Sequence, residues 1–425
     1  MVKHKKLSMA VAGAFALCGA SAAHAFNVKA GDWDLSFSGE VNAFYTYTHC
    51  DNNANVVVGG LACAAPIPSS QGSNASQVNS GLLPSAFVFS AKTMQEGFDI
   101  GITAGFYPGI SNSPGNSALS LSQINMRQNF LTFGDKDMGT FKFGRDLGLF
   151  ASDAILSDMT LLGVGGNSTF TTANAPGTTT LGRIGFGYIY ADWIPQITYI
   201  SPSWDGAQVS AGIFQPLTMY SGLLGGQTAS GHTLPMFQAK GTYDFNVNED
   251  IKSIHLWVSG MMQRSTLNSA DGVGPTINNG FTALAGDMGI KGNVYGFEPV
   301  IYFYQARGVG TTCLFCQGID AAGNKRNSDG GYIQVQHAFG KWKPGFSYGF
   351  SRLTYAADEN AANAATLVNF NRMRTQMLQY SLTKSITLVE EYDDIHSSSQ
   401  ATGATAAGGG KNASHQFSLG AILFF

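Results

Sequence analysis

Charge is scarce in this chain. Of 425 residues only 12% are Asp, Glu, Lys or Arg, about half the share of an ordinary soluble domain. With so little charge a coiled coil or a disordered charged tail is excluded. Positive charge is especially short: 24 basic against 27 acidic residues give −3, with pI ≈ 6.2. That argues against a nucleic-acid binder, which needs a basic face. Long apolar runs are also missing. After Phe26 no window offers 18 uncharged apolar residues, so spanning helices are excluded. Cysteine is limited to 5 and proline to 13, whereas glycine reaches 53 and hydrophobic residues 44%. At this length two domains, or one large closed β structure, fit equally.

The start of the chain reads differently from the rest. Lys3, His4, Lys5 and Lys6 form a basic patch, Leu7–Ala20 is apolar, and Ala23-His24-Ala25 is a small-x-small site before Phe26. That layout is expected of a secretory signal peptide over residues 1–25. Its apolar part is too short to span a bilayer. Cys18 is not read as a lipoprotein site, because Leu17 precedes it. Removing the leader takes away Lys3, Lys5 and Lys6 and no acid, so the formal charge moves from −3 to −6. Four cysteines remain, and an exported chain meets an oxidising compartment. Sequence proximity favours Cys50–Cys63 and Cys313–Cys316, although three connectivities are formally open. A bridge closing the first short loop is worth about 3 kcal/mol on the chain-entropy account. The C-x-x-C at 313–316 also resembles a redox or half-zinc motif, but no second ligand pair stands at suitable spacing.

The remainder alternates with period two. From Trp33 to Tyr47 the odd positions are Trp33, Leu35, Phe37, Gly39, Val41, Ala43, Tyr45 and Tyr47; the even ones are mostly polar. This is a strand with one apolar and one wet face, longer than the usual ~5–6 residues and suited to a tilted membrane strand. Strands are expected near 33–48, 83–94, 98–108, 122–134, 140–146, 182–201, 207–217, 234–244, 250–263, 280–291, 295–306, 329–339, 344–354, 370–382, 385–396 and 413–425. That makes sixteen, with fourteen or eighteen left open. Short turns alternate with long Ser/Gly/Asn-rich connections, as in an outer-membrane barrel. The expected fold is therefore all-β, a closed antiparallel transmembrane β-barrel over residues 26–425. Only closure satisfies every backbone polar group in lipid. A barrel of this size encloses water. Its inward sides should be polar, which places Gln123, Asn125, Arg127 and Asn129 inside. The ~2–4 kcal/mol penalty for a mid-membrane lipid-facing arginine places Arg372 and Arg374, with Gln376, inside as well. Trp33, Trp204 and Trp342 are expected in the girdle on the short-turn rim.

The segments Arg127-Gln128-Asn129-Phe130-Leu131-Thr132-Phe133-Gly134 and Gly139-Thr140-Phe141-Lys142-Phe143-Gly144-Arg145 resemble the Gram-negative general (non-specific) porin family. So do Leu149–Asp158, Leu181-Gly182-Arg183 and Gln196-Ile197-Thr198-Tyr199. The resemblance is strong over 122–215 and looser in the outer loops. It implies a sixteen-stranded homotrimer in outer-membrane lipid that passes ions and small hydrophilic solutes, with no cofactor and no metal. It implies that the third loop, about 147–181, folds into the lumen. It further implies that the barrel assembly machinery reads the C-terminal Phe425. Carried over by motif, Arg127, Arg145 and Arg183 are wall candidates at the constriction, and Asp153 and Asp158 are loop candidates. The family's acidic loop stretch is replaced here by Leu161-Leu162-Gly163-Val164-Gly165-Gly166-Asn167. Opposed charges ~8 Å apart interact by about 2 kcal/mol at an effective dielectric of 20, so losing a carboxylate is expected to give weak selectivity or a lean towards anions.

Other chemistry is weaker. Gly345-Phe346-Ser347-Tyr348-Gly349 matches G-x-S-x-G, but it lies in an alternating strand rather than at a strand–helix elbow. No H-E-x-x-H and no phosphate loop occur. Glu390-Glu391 and Asp393-Asp394 read as a solvated strand end rather than a cation site. The alternatives are a substrate-specific channel, with Phe44, Tyr107 and Tyr188 lining a slide, or an adhesin or barrel enzyme.

Overall fold

The computed structural model describes residues 25–51, 57–63, 73–110, 124–166, 179–222, 228–229, 231–266, 280–356, 359, 365–400 and 410–425. The expected leader therefore lies outside the described residues, apart from Ala25. The wall is built of β1 (Trp33–Asp51), β2 (Ala86–Gln95), β3 (Phe98–Pro108), β4 (Ile124–Asp135), β5 (Gly139–Leu147), β6 (Trp193–Ile200), β7 (Ala207–Phe214) and β8 (Met236–Phe245). It continues through β9 (Ile251–Ser265), β10 (Phe281–Val294), β11 (Phe297–Arg307), β12 (Asn327–His337), β13 (Trp342–Leu353), β14 (Val368–Ser381), β15 (Ile386–Ser399) and β16 (Lys411–Phe424).

Each strand pairs antiparallel with its neighbours in chain order. The ring closes where β1 meets β16, from Glu40 opposite Phe424 to Asp51 opposite Ala413. Two short strands complete the seam. Phe26–Ala30 folds back on the foot of β1, and Asn74–Asn79 pairs with its upper half while β2 takes the lower half. The backbone of Phe425 exchanges two hydrogen bonds with Gly39, at 2.8 and 3.0 Å. No edge is left for lipid to meet.

The short-turn rim follows turn chemistry. Glu96-Gly97, Asp205-Gly206 and Tyr295-Gly296 each put both residues at positive φ. That suits a type I′ hairpin, in which glycine at the second position costs nothing. Trp204 and Trp342 are exposed on this rim. The long connections gather at the opposite, extracellular end.

Alternation sorts the two faces. On β1, Val41, Tyr45 and Tyr47 are exposed, while Glu40, Asn42, Thr46 and Thr48 are buried. The outer face is an apolar band of Ile, Leu, Phe and Val. One irregularity shifts the series. Between β3 and β4, Gly105 pairs with Gln128 and Phe106 with Met126. Arg127 is the extra residue of a β-bulge, and such an insertion flips every later side chain. Below it Gln128, Phe130 and Thr132 point inward, and the expected inward residue Asn129 is exposed outside.

A second expectation fails on β14. Asn371, Met373 and Thr375 are the buried inner series, so Arg372, Arg374 and Gln376 stand on the outer face. Their register partners there include Phe350, Tyr348 and Phe346. The lipid penalty assumed for them applies at mid-membrane and falls to ~0–1 kcal/mol near the interface. Both arginines lie towards the extracellular end of their strand.

Candidate functional site

The sixth strand begins at Trp193 rather than near 182. The connection after β5 thus runs from Gly148 to Asp192, longer than the expected 147–181. Gly148 N donates to Asp192 O at 2.9 Å and pinches its neck. Among its described residues the segment carries an α-turn, α1 (Ser152–Ser157), and a 3₁₀ turn at Met159–Leu162. Its backbone is tied to inward side chains of wall strands along its course. Leu149 N and Phe150 N donate to Gln238 Oε1 on β8 (2.7 and 2.9 Å), and Ala151 N donates to Asp287 Oδ2 on β10 (2.9 Å). On β12, Tyr332 Oη donates to Ala154 O (2.7 Å), and Met159 N donates to Gln334 Oε1 (2.7 Å). The tip reaches β15 and β16: Val164 N and Gly165 N donate to Glu391, and Gln416 Nε2 donates to Gly165 O.

Glycine is required at that tip. A Cβ on Gly163 would lie 1.9 Å from Glu391 Oε2, and one on Gly165, at φ +58°, would meet Gly182 backbone at 2.4 Å. The loop acid that this sequence lacks is thus answered by a wall acid, which binds loop N–H groups. Glu391 and Asp393 are buried inward residues, with Asp393 accepting from Thr375 and Gln416. The pair is therefore part of the anchoring network and not a solvated strand end.

The five carried-over residues do not meet in one ring. Arg183 belongs to the loop, not the wall. It is wholly buried, donates to Met373 O (3.2 Å) and Thr375 Oγ1 (3.1 Å), and lies 3.8 Å from Asp158. Asp158 also accepts from Thr160 and from Tyr188 Oη. Arg183 thus ties the loop to β14 while pairing with Asp158 within the loop. Asp153 sits in α1 and faces Lys240 Nζ on β8 (2.7 Å) and His255 Nε2 on β9 (3.1 Å). Burial alone would raise its carboxyl, but Lys240 and His255 hold it below the ordinary carboxylate range. The guanidinium of Arg127 stacks on Tyr107 (5.2 Å) and Trp193 (5.9 Å). Arg145 follows the outer series through its partners Asn129 and Pro195. Both arginines act on Asp192. Burial raises that carboxyl, opposed by the Trp193 N–H and then by Arg145 and Arg127.

A polar cavity of about 630 Å³ lies between α1 and the inner faces of β5–β11. Lys142, Lys240, Lys291 and His255 line it together with Asp146, Asp153, Asp244 and Glu298. The two signs alternate, and several are paired: Lys142 with Asp146, His255 with Asp244 (2.7 Å) and Lys343 with Glu298 (2.8 Å). Sequence reasoning missed this set, although Lys142 and Asp146 share the inward parity of β5. The aromatic slide does not form, because Phe44, Tyr107 and Tyr188 are all buried. Ser347 donates to Ile333 O within the wall.

The extracellular loops are knitted together above. Cys50 is bonded to Cys63, and Cys313 to Cys316, with Cα separations of 5.2 and 5.3 Å. Leu61 N donates to Asn371 and Ser397. Tyr190 N donates to Thr312 O at 2.8 Å. Buried Arg326 forks onto Glu359 (2.6 and 3.0 Å) and also donates to Ser221 O and Gln317 O.

Comparison with known proteins agrees with this architecture. A family model described as Gram-negative porin matches residues 8–400. No curated sequence matches the chain. Among solved structures, the outer-membrane channel DcaP of Acinetobacter baumannii is similar at TM-score 0.66 and 13% identity, over 94% of this chain and 99% of that one. An anion-selective porin from Comamonas acidovorans gives 0.57 and 13%, over 92% and 100%. Salmonella typhi OmpF, in a complex with daunomycin, gives 0.55 and 11%, over 94% and 100%. At these identities the structural likeness shows the fold, sixteen strands in a closed ring. With the family match over most of its length, the chain belongs to the Gram-negative porins, outer-membrane channels for passive diffusion.

Proposed function

We propose that this porin is a narrow channel whose aperture is set by residues 148–166 and 179–192 folded into the lumen. Solutes would pass along the polar faces of β5–β11 beside α1. The observation that carries this reading is the chain of loop-to-wall hydrogen bonds, from Gln238 through Asp287 and Gln334 to Glu391. A loop held at that many inward positions narrows whatever passage remains. Asp153, Asp146 and Glu298 are each paired with a cation. Arg127 has no carboxylate within 4.0 Å among the described residues and stacks on aromatic rings instead. That imbalance supports weak selectivity with a lean towards anions. The reversal potential in a KCl gradient tests it, and strong cation preference contradicts it.

The same reading takes the protein to be a homotrimer and not an enzyme. Support for association is the outer aromatic cluster at the seam, where Phe37 lies 4.5 Å from Phe89 and 5.3 Å from Phe425. Phe425 would be read by the barrel assembly machinery before the seam closes over it. A heat-modifiable trimer band on a mild-detergent gel checks the oligomer, and a monomer band alone contradicts it.

A further inference from the structure

Part of the inner wall is dry. On β14, β15 and β16 the inward polar residues Asn371, Thr375, Asp393, Ser397, Ser414 and Gln416 are each exposed by 2% or less. On β8, by contrast, the inward Lys240 and Thr242 are half-buried and Asp244 is exposed. The inner side of a wide barrel is ordinarily wet, so the first sector must be covered. Two stretches of chain cover it. Lower down, the tip of the segment after β5 sits on Glu391 and Gln416. On the extracellular side of that tip lie residues 57–63, from a different connection.

These residues form a strap. The Cys50–Cys63 disulfide ties one end to β1. Ala62 N and Leu61 N donate to Ser397 Oγ on β15 (2.8 and 2.9 Å). Leu61 N also reaches Asn371 Oδ1 on β14 (3.2 Å), and Asn371 Nδ2 donates back to Gly59 O (3.3 Å). At the other end Val58 pairs with Leu367. The Leu61 side chain is a wedge, buried in the same apolar cluster as Ile184 and Tyr332. A Cβ on Gly185, at φ +80°, would lie 2.5 Å from Leu61 Cδ1. Glycine there leaves the wedge its room.

The covered sector has one sign of charge. Its inner wall carries the carboxyls of Glu40, Glu391 and Asp393. Among the described residues no Lys or Arg stands on the inward parity of β14, β15, β16 or β1. Arg183 reaches the sector from the segment after β5 and lies 3.8 Å from Asp158. Carboxyls in contact with water are ionised at neutral pH, so an open sector would draw cations.

We propose that residues 57–63 are a selectivity-setting strap that shuts the acid-lined sector of β14–β16 and β1 and confines ions to the mixed-charge side along β5–β11. The inference rests on the reading that solutes pass beside α1. Leu61, Asn371 and Ser397 act here as positioning residues.

The test is the reversal potential of the full-length protein in a KCl gradient, read as a change from wild type. N371A/S397A strands the Leu61 and Ala62 N–H groups, and each stranded donor favours the released strap by roughly five-fold or more. The K+ over Cl− permeability ratio should then rise by roughly five-fold, the pull of one hydrated carboxylate on a cation ~4 Å away, with higher conductance. Ser397→Thr keeps the hydroxyl and should keep the wild-type ratio. An unchanged ratio in folded N371A/S397A overturns the proposal, as does a shift towards Cl−. The same shift in S397T also overturns it. If N371A/S397A does not fold, C50S/C63S, which cuts the tether, must give the cation shift in its place. Failure of the underlying reading shows separately, as strong cation preference in wild type itself.

Discussion

Replacing Glu391 by Gln should loosen the tip of the segment after β5 while leaving the wall intact. The wild-type carboxylate accepts from both Val164 N and Gly165 N. A glutamine of the same shape offers one carbonyl and turns an NH2 towards the other donor. A buried donor left unsatisfied costs about 1–3 kcal/mol. Taking about 2–3 kcal/mol for the change, the released state of the tip should be populated roughly 30–150-fold more. Single-channel recording reads this directly as more frequent excursions to higher conductance. Glu390→Gln is the matched control: the same chemistry, one residue away, on the outer face and without a hydrogen bond to the loop. The reasoning is refuted if folded E391Q records are indistinguishable from wild type, or if E390Q gives the same change.

Other outcomes follow from the same geometry. Lys240→Gln leaves the Asp153 carboxylate with His255 alone, so the channel should shift towards cations in a KCl-gradient reversal measurement. Asp153 has a depressed folded pKa, so its anchoring contribution is fully present above the unfolded value of about 4 and is lost only as pH falls below it. Its pairing with Lys240 should therefore add no pH dependence to α1 anchoring between pH 7 and 5, which conductance of wild type against K240Q measures. The C50S/C63S variant should lose about 3 kcal/mol from the loop that the bridge closes, seen as a lower temperature for the gel-mobility shift of the folded barrel. Arg326→Ala strands the buried Glu359 carboxylate, a loss of about 3–5 kcal/mol for a broken buried pair; limited proteolysis should then cut the outer loops faster than in wild type.

The wall was legible because its signal is simple. A period of two with turn residues between segments locates sixteen strands, and sixteen long strands form the wall among the described residues. What escaped has specific physical causes. Ile184, Phe186 and Tyr188 alternate with smaller or polar residues much as a strand would, so 182–192 reads as wall. Those side chains are buried against Leu61, Tyr332 and other residues inside. Arg127 marks a bulge, and a single inserted residue carries no signature in one sequence yet reverses the faces below it. The penalty that places Arg372 and Arg374 inward depends on depth, which alternation does not reveal. Glu391 and Asp393 lie among acids that look solvated in sequence. Their burial becomes visible only when the inward parity of Val389 and Ile395 is known.

The most direct test is the current through the purified, folded protein in a planar bilayer. The account predicts discrete ohmic steps as single barrels insert. A protein that inserts as folded barrel and carries no current would contradict it.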